Sequence, residues 1–134
     1  GSEFGFEGFK QSDDWNLRPA FALPALQDQE HGFDMSGWIA KLAAIRRNSP
    51  ALMFGDYRTL HVGPNQFAFL RICAEKRAMV IANSSKEAVE LTLKLPEMAG
   101  WHLTDALADN ELFVVEDGVL TVRLNGNQVR ILLN

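Results

Sequence analysis

Leu120-Thr121-Val122-Arg123-Leu124-Asn125-Gly126-Asn127-Gln128-Val129-Arg130-Ile131 places an apolar side chain at every second position on both sides of an Asn-Gly-Asn turn. Successive side chains of a strand point to opposite faces, so this alternation gives each segment one buried face and one wet face. Leu91, Leu93 and Leu95 repeat the pattern against Glu90, Thr92 and Lys94. Asn125-Gly126-Asn127 and Glu116-Asp117-Gly118 supply the positive-φ residues that tight hairpins need. Ala74-Glu75-Lys76 and Gly63-Pro64-Asn65 make further turns.

Worked outward from there, the period of two holds from Pro50 onward. It predicts about eight short strands, near 57–62, 66–73, 77–83, 89–95, 101–106, 112–116, 119–124 and 128–133. Strands at roughly 8 to 12 residue spacing separated by turn signals argue for an antiparallel β-sandwich or barrel. Upstream the period changes. Trp38, Leu42 and Ile45 share one helical face, with Ile39 and Ala43 beside them, which predicts one helix at about 36–48. Asp34 or Ser36 can cap its start, Arg46 and Arg47 suit the negative end of its dipole, and Asn48-Ser49-Pro50 stops it. Residues 1–35 carry Phe4, Phe6, Phe9, Trp15, Phe21 and Phe33 at no helical or strand period and read as irregular chain. So much aromatic surface in a loop is meant to pack against something, since a free linker is depleted in aromatics.

Composition narrows the function classes. With 17 acidic against 13 basic residues and a net charge of -4, the chain has no basic patch for nucleic acid. No apolar run approaches the roughly 18 residues of a membrane span. Cys73 is the single cysteine among 134 residues, so neither an internal disulfide nor a multi-cysteine zinc site is available. A reducing, cytoplasmic compartment fits that usage. His31, His61 and His102 are scattered without a clustered carboxylate, so no metal site and no cofactor are expected. There is no Gly-x-Ser-x-Gly elbow and no phosphate-cradling glycine loop. Asp13-Asp14 reads as a pair of turn residues or solvated charges.

The leader carries a resemblance. Gly1-Ser2-Glu3-Phe4-Gly5-Phe6-Glu7-Gly8, then Ser12-Asp13-Asp14-Trp15-Asn16-Leu17-Arg18-Pro19, resembles the segment after the last barrel strand in the α-amylase family, glycoside hydrolase family 13. Trp38-Ile39-Ala40-Lys41-Leu42-Ala43-Ala44-Ile45-Arg46-Arg47-Asn48-Ser49-Pro50-Ala51-Leu52 is similar to that family's final barrel helix. Phe67-Ala68-Phe69-Leu70-Arg71 and Val80-Ile81-Ala82-Asn83-Ser84 are similar to its C-terminal sandwich, and the neopullulanase, cyclomaltodextrinase and maltogenic amylase branch is nearest in style.

The resemblance implies that residues 1–50 are the tail of a catalytic barrel, a loop plus the final helix, and that residues 51–134 are a Greek-key C-terminal sandwich. The paired carboxylates of the family's retaining mechanism, roughly 5 Å apart, would lie upstream of this chain, so no catalytic residue is expected within it. Asp14 and Arg18 stand at the spacing that in the family turns a carboxylate and a guanidinium toward an α-glucan oligosaccharide. The expected role is therefore that of a non-catalytic part of an α-glucan-acting hydrolase whose sandwich stabilises the barrel. The alternative is a carbohydrate-binding module, for which Tyr57 and Trp101 are the only strong aromatic candidates in the sandwich. A leader deprived of its barrel is expected to bury its aromatics in a second copy, making a homodimer through residues 1–35.

Overall fold

The computed structural model describes residues 8–18, 20 and 34–134. The chain divides into two compact units, residues 1–44 and 45–134. In the first, a 3-10 turn at Trp15–Leu17 lies within the leader. Helix α1 runs Met35–Arg47, close to the expected span. Asp34 caps it: its carboxylate accepts from the Gly37 N–H at 2.7 Å and from the Ser36 hydroxyl at 3.1 Å.

The helical region differs from the sequence reading in two respects: an apolar stripe is expected to be buried, and a single helix is expected. The stripe of Trp38, Leu42 and Ile45 is not buried: no residue of α1 is, with Trp38 37% and Ile39 46% exposed and Leu42 and Ile45 half-buried. The helix also does not stand alone. Ser49-Pro50 ends α1 and opens α2, Pro50–Phe54, with the Ser49 hydroxyl accepting from the Leu52 N–H at 3.3 Å and proline at its first position. Proline fits there because that N–H has no intrahelical partner to lose.

The second unit is an antiparallel sandwich of eight strands: β1 (Asp56–Val62), β2 (Gln66–Cys73), β3 (Lys76–Asn83), β4 (Val89–Lys94), β5 (His102–Asp105), β6 (Leu112–Val114), β7 (Val119–Leu124) and β8 (Gln128–Leu133). Six form one sheet in the order β1-β2-β3-β8-β5-β6, and β4 pairs with β7 in the other. Every pairing is antiparallel. The inner faces share one core, in which Leu70, Met79, Ile81 and Leu132 of the large sheet meet Leu91, Leu93, Leu120 and Val122 of the small one.

Of the two turns expected to close hairpins, Glu116-Asp117-Gly118 closes a single bridge, and Asn125-Gly126-Asn127 instead carries the chain from the small sheet to the large one. Asp117 and Gly118 both take positive φ at this bridge into β7, with Glu116 and Val119 exchanging backbone hydrogen bonds of 2.9 and 2.7 Å. In Asn125-Gly126-Asn127 the positive φ falls on Asn127. Gly126 serves a different need, because a Cβ there would collide with the Lys86 backbone. Buried Asn83 ties this end together: its amide donates to the Glu87 and Asn125 carbonyls at 2.8 and 2.9 Å. Its oxygen accepts from the Gln66 amide at 3.0 Å and the Ser85 N–H at 3.1 Å.

The two outer faces differ. On the small sheet, Glu90, Thr92, Lys94, Thr121 and Arg123 are exposed. On the large sheet the outer positions of β2, β3 and β8 include Phe67, Phe69, Val80, Ala82, Val129 and Ile131. Helix α2 contacts β2 and β3, and Ala51, Leu52, Ala78 and Ile131 are buried outside the inter-sheet core. Elsewhere on this face Phe69, Val80 and Ala82 are half-buried, while Val62 is 71%, Val129 41% and Phe67 39% exposed.

Candidate functional site

Sequence reasoning singled out Asp14 and Arg18, and both line a cleft of about 220 Å³ together with Asp13 and Trp15. The local fold explains why these four converge. The Asp13 carboxylate accepts from the Trp15 N–H at 3.1 Å, an Asx turn that starts the 3-10 helix. The N–H groups of Leu17 and Arg18 then close it on the Asp14 and Trp15 carbonyls, each at 3.1 Å. Gly8 passes so near this turn that a Cβ would sit 3.1 Å from the Leu17 Cα, so the backbone is held from two sides. Asp14 pairs with Lys10 at 3.1 Å, both side chains more than half exposed, and such a surface pair fixes little. Among the described residues no ion pair joins Asp14 to Arg18. The leader's Trp15, 80% exposed in the same cleft, was not singled out as a site residue; a lone indole in irregular chain carries no periodic signal.

The two aromatics weighed for a sugar platform on the sandwich are not brought together. Trp101 is half-buried against the inter-sheet core and the Arg77 guanidinium covers its ring at 5.3 Å. Tyr57 is 54% exposed and stacks on Phe69 at 5.2 Å, with their planes 29° apart. Phe69 meets Phe67 at 5.8 Å and 44°, so the outer row Tyr57-Phe69-Phe67 is twisted rather than flat.

The strongest charge cluster is structural. Fully buried Asp105 accepts from the Leu107 and Ile131 N–H groups at 3.0 and 3.2 Å, and from Arg130 Nη1 at 2.9 Å. Arg130 Nη1 also donates to Glu111 at 2.6 Å. Burial works against the Arg130 charge, but hydrogen bonds to Glu111 and Asp105 outweigh it and raise its pKa. Among the described residues no three His, Cys, Asp or Glu side chains are placed to share a metal ion. His31 lies outside the described residues, as does most of the segment expected to form a dimer. Cys73, at the end of β2, is half-buried and free.

Comparison with known proteins follows the fold. Palatinase of Erwinia rhapontici is 41% identical over 54 residues, covering 40% of this chain and 10% of that enzyme. The solved structure of AmyP in complex with maltose matches 99% of this chain at a TM-score of 0.79, with 17% identity, over 30% of its own length. A cyclomaltodextrinase structure matches all of it at 0.77, with 20% identity, over 22% of its length. At such identities the solved structures speak for the fold. The chain thus spans a tenth of palatinase and less than a third of either structure. The family described as maltogenic amylase, C-terminal domain, matches residues 57–131, which takes in all of β2 to β7, nearly all of β1 and most of β8. An antiparallel sandwich of two sheets with that match over more than half its length belongs to the C-terminal domain family of maltogenic amylases, within the α-amylase glycoside hydrolases.

Proposed function

We propose that the chain is the non-catalytic C-terminal part of an α-glucan-acting retaining hydrolase, in which residues 51–134 brace a (β/α)8 barrel whose last helix lies within residues 1–50. One observation carries this reading: the large sheet has an apolar outer face that α2 covers only in part, while the small sheet's outer face is polar except at Val119. A sheet with both faces apolar sits between layers, and open patches of this kind mark contact surfaces. AmyP was crystallised with maltose. By analogy, the intact enzyme acts on maltodextrin-like α-glucans, with Asp14 and Arg18 contacting the oligosaccharide.

Phe67→Asp and Val129→Asp test the bracing role, because both side chains are exposed in this chain. In the 134-residue chain each variant should lower the unfolding midpoint only by what the buried part of the side chain contributes, less in free-energy terms than in the intact enzyme. In the intact enzyme each would bury a charge against apolar barrel surface. At a cost of about 2 kcal/mol or more, the midpoint of an enzyme more than three times the length of this chain should fall by about 2 °C. Equal midpoints in the intact enzyme would remove the brace. The row Tyr57-Phe69-Phe67 favours a glucan-binding sandwich instead, although planes 29° and 44° apart suit a flat sugar chain poorly. Retention of the 134-residue chain on insoluble starch, lost on Tyr57→Ala, would favour that second reading.

A further inference from the structure

We infer that Asn125-Gly126 is a self-modification site of the folded chain, at which Asn125 cyclises and deamidates at a rate set by its hydrogen bond to the Asn83 amide. This turn is the one place where an asparagine precedes glycine. Every other asparagine precedes a residue that carries a side chain, or ends the sequence.

The reaction needs the chain and water alone. The Gly126 nitrogen, having lost its proton to solvent, attacks the Asn125 Cγ. The N–Cγ bond forms, the Cγ–Nδ2 bond breaks, and the amide nitrogen leaves as ammonia after taking a proton from water. Water then opens the succinimide ring at either of its carbonyls. Opening at Cγ gives aspartate. Opening at the α-carbonyl gives isoaspartate, whose main chain runs through the former side chain and is longer by an atom. Each product adds a negative charge to a chain that carries -4.

Both reacting groups are uncommitted. Asn125 is exposed, and among the described residues neither its carboxamide nor the Gly126 N–H makes a hydrogen bond. Gly126 has no side chain to shield its nitrogen and tolerates none, because a Cβ would lie 2.0 Å from the Lys86 carbonyl oxygen. Attack requires rotation about the Asn125 Cα–C bond, which carries the Asn125 carbonyl with it. That carbonyl accepts from the buried Asn83 amide at 2.9 Å, while the Asn125 N–H donates to Gln128 Oε1 at 2.6 Å. Cyclisation therefore waits for the Asn83 bond to open. Opening a single neutral hydrogen bond is a local fluctuation far smaller than unfolding, so the site stays reactive in the folded chain. The longer isoaspartate main chain then finds no slack: Gly126 lies against the Lys86 backbone, and the Asn127 N–H donates to the Ser85 carbonyl at 2.8 Å. Modification thus loosens the join between β7 and β8.

Incubating the 134-residue chain at neutral pH and locating isoaspartate by tandem mass spectrometry of its tryptic peptides tests this. The folded wild type should gain isoaspartate at position 125 and at no other asparagine. It should do so about fivefold to thirtyfold more slowly than the same chain in guanidinium chloride, the factor of one or two neutral hydrogen bonds. Asn83→Ala should raise the folded rate about fivefold. Gln128→Ala, which frees the Asn125 N–H without touching the core, should raise it in the same direction. Leu103→Ala opens a core cavity on β5, which meets only the far end of β8, and should leave the rate unchanged despite a comparable loss of stability. The aged chain, separated by its extra charge, should unfold at a lower midpoint than the fresh one. A folded wild type still unmodified after about a hundred times the interval that converts the unfolded chain would overturn the site. If Asn83→Ala and Gln128→Ala both keep the wild-type rate, or Leu103→Ala accelerates as much as Asn83→Ala, control by Asn83 is wrong.

Discussion

Replacing Asp105 by alanine should cost the sandwich about 3 kcal/mol, and the number follows from what the carboxylate holds. One oxygen accepts from two backbone N–H groups, Leu107 at 3.0 Å and Ile131 at 3.2 Å, and the other from Arg130 at 2.9 Å. Hydrogen bonds to a charged group contribute about 1.5 to 3 kcal/mol each, so the two backbone bonds alone account for about 3 at the low end. The full penalty of stranding a buried cation does not add, because Arg130 keeps Glu111 at 2.6 Å. Asp105→Asn keeps an oxygen for both N–H groups but turns an NH2 toward the Arg130 guanidinium, so two donors face each other and about 2 to 3 kcal/mol is expected. Arg130→Met is the harsher change, about 3 to 5 kcal/mol, since it leaves a carboxylate with 0% exposure without its cation. Urea unfolding followed by far-UV circular dichroism reads these differences. With a slope of about 1.5 kcal/mol per molar, Asp105→Ala moves the midpoint down by about 2 M. The decisive comparison is the double variant Asp105→Asn with Arg130→Met, which should be more stable than Arg130→Met alone because the stranded charge is gone. Simple additivity of the two single changes would refute the account of a coupled buried pair.

Two further predictions concern the same unit. Asn83→Ala removes four hydrogen bonds from a side chain 2% exposed and should cost about 3 kcal/mol, whereas Asn83→Asp should cost more because it deletes both donors and buries a charge; chemical denaturation of both variants ranks them, and the reverse order would contradict the bonding described. Glu97 is held below the usual carboxylate range, first by a backbone hydrogen bond at Glu97 and next by Arg58, with burial opposing. A depressed carboxylate stabilises the fold above its unfolded pKa of about 4.3 and loses that contribution as pH falls through the folded value. Midpoints measured from pH 6 down to about 3 should therefore fall less steeply for Glu97→Gln than for the wild type; the difference stays small because both side chains of the pair are over 40% exposed.

Residues 56–133 were legible because their local chemistry and their tertiary role agree. β4 and β7 alternate cleanly and prove to have one wet face. Phe67-Ala68-Phe69-Leu70-Arg71-Ile72 is apolar on both sides and proves to lie in the sheet with two apolar faces. Strand order was not readable, since nothing local tells β8 to enter between β3 and β5. Helix α2 escaped notice because five residues are too few for a period; the Ser49-Pro50 cap was its only local mark. The stripe on α1 misled because amphipathicity states that a face is apolar and not what covers it. Asp14 and Arg18 emerged from a resemblance, while Trp15 needed the folded turn to place it beside them.

The position of β8 bears on how the molecule is made. β1, β2 and β3 form a meander of neighbours in sequence, and β5 and β6 form a hairpin, but the two are joined only through β8. Of the eight strands, β8 is the last to be synthesised. Until it arrives, β3 and β5 each present an unpaired edge, and the inner face of the large sheet lacks Leu132. A ribosome paused after β6 has emerged and before β8 has done so holds a chain with two sticky edges and an incomplete core. Codon choice and translation speed over β7 and β8 thus become determinants of soluble yield, through the interval for which those edges stay open.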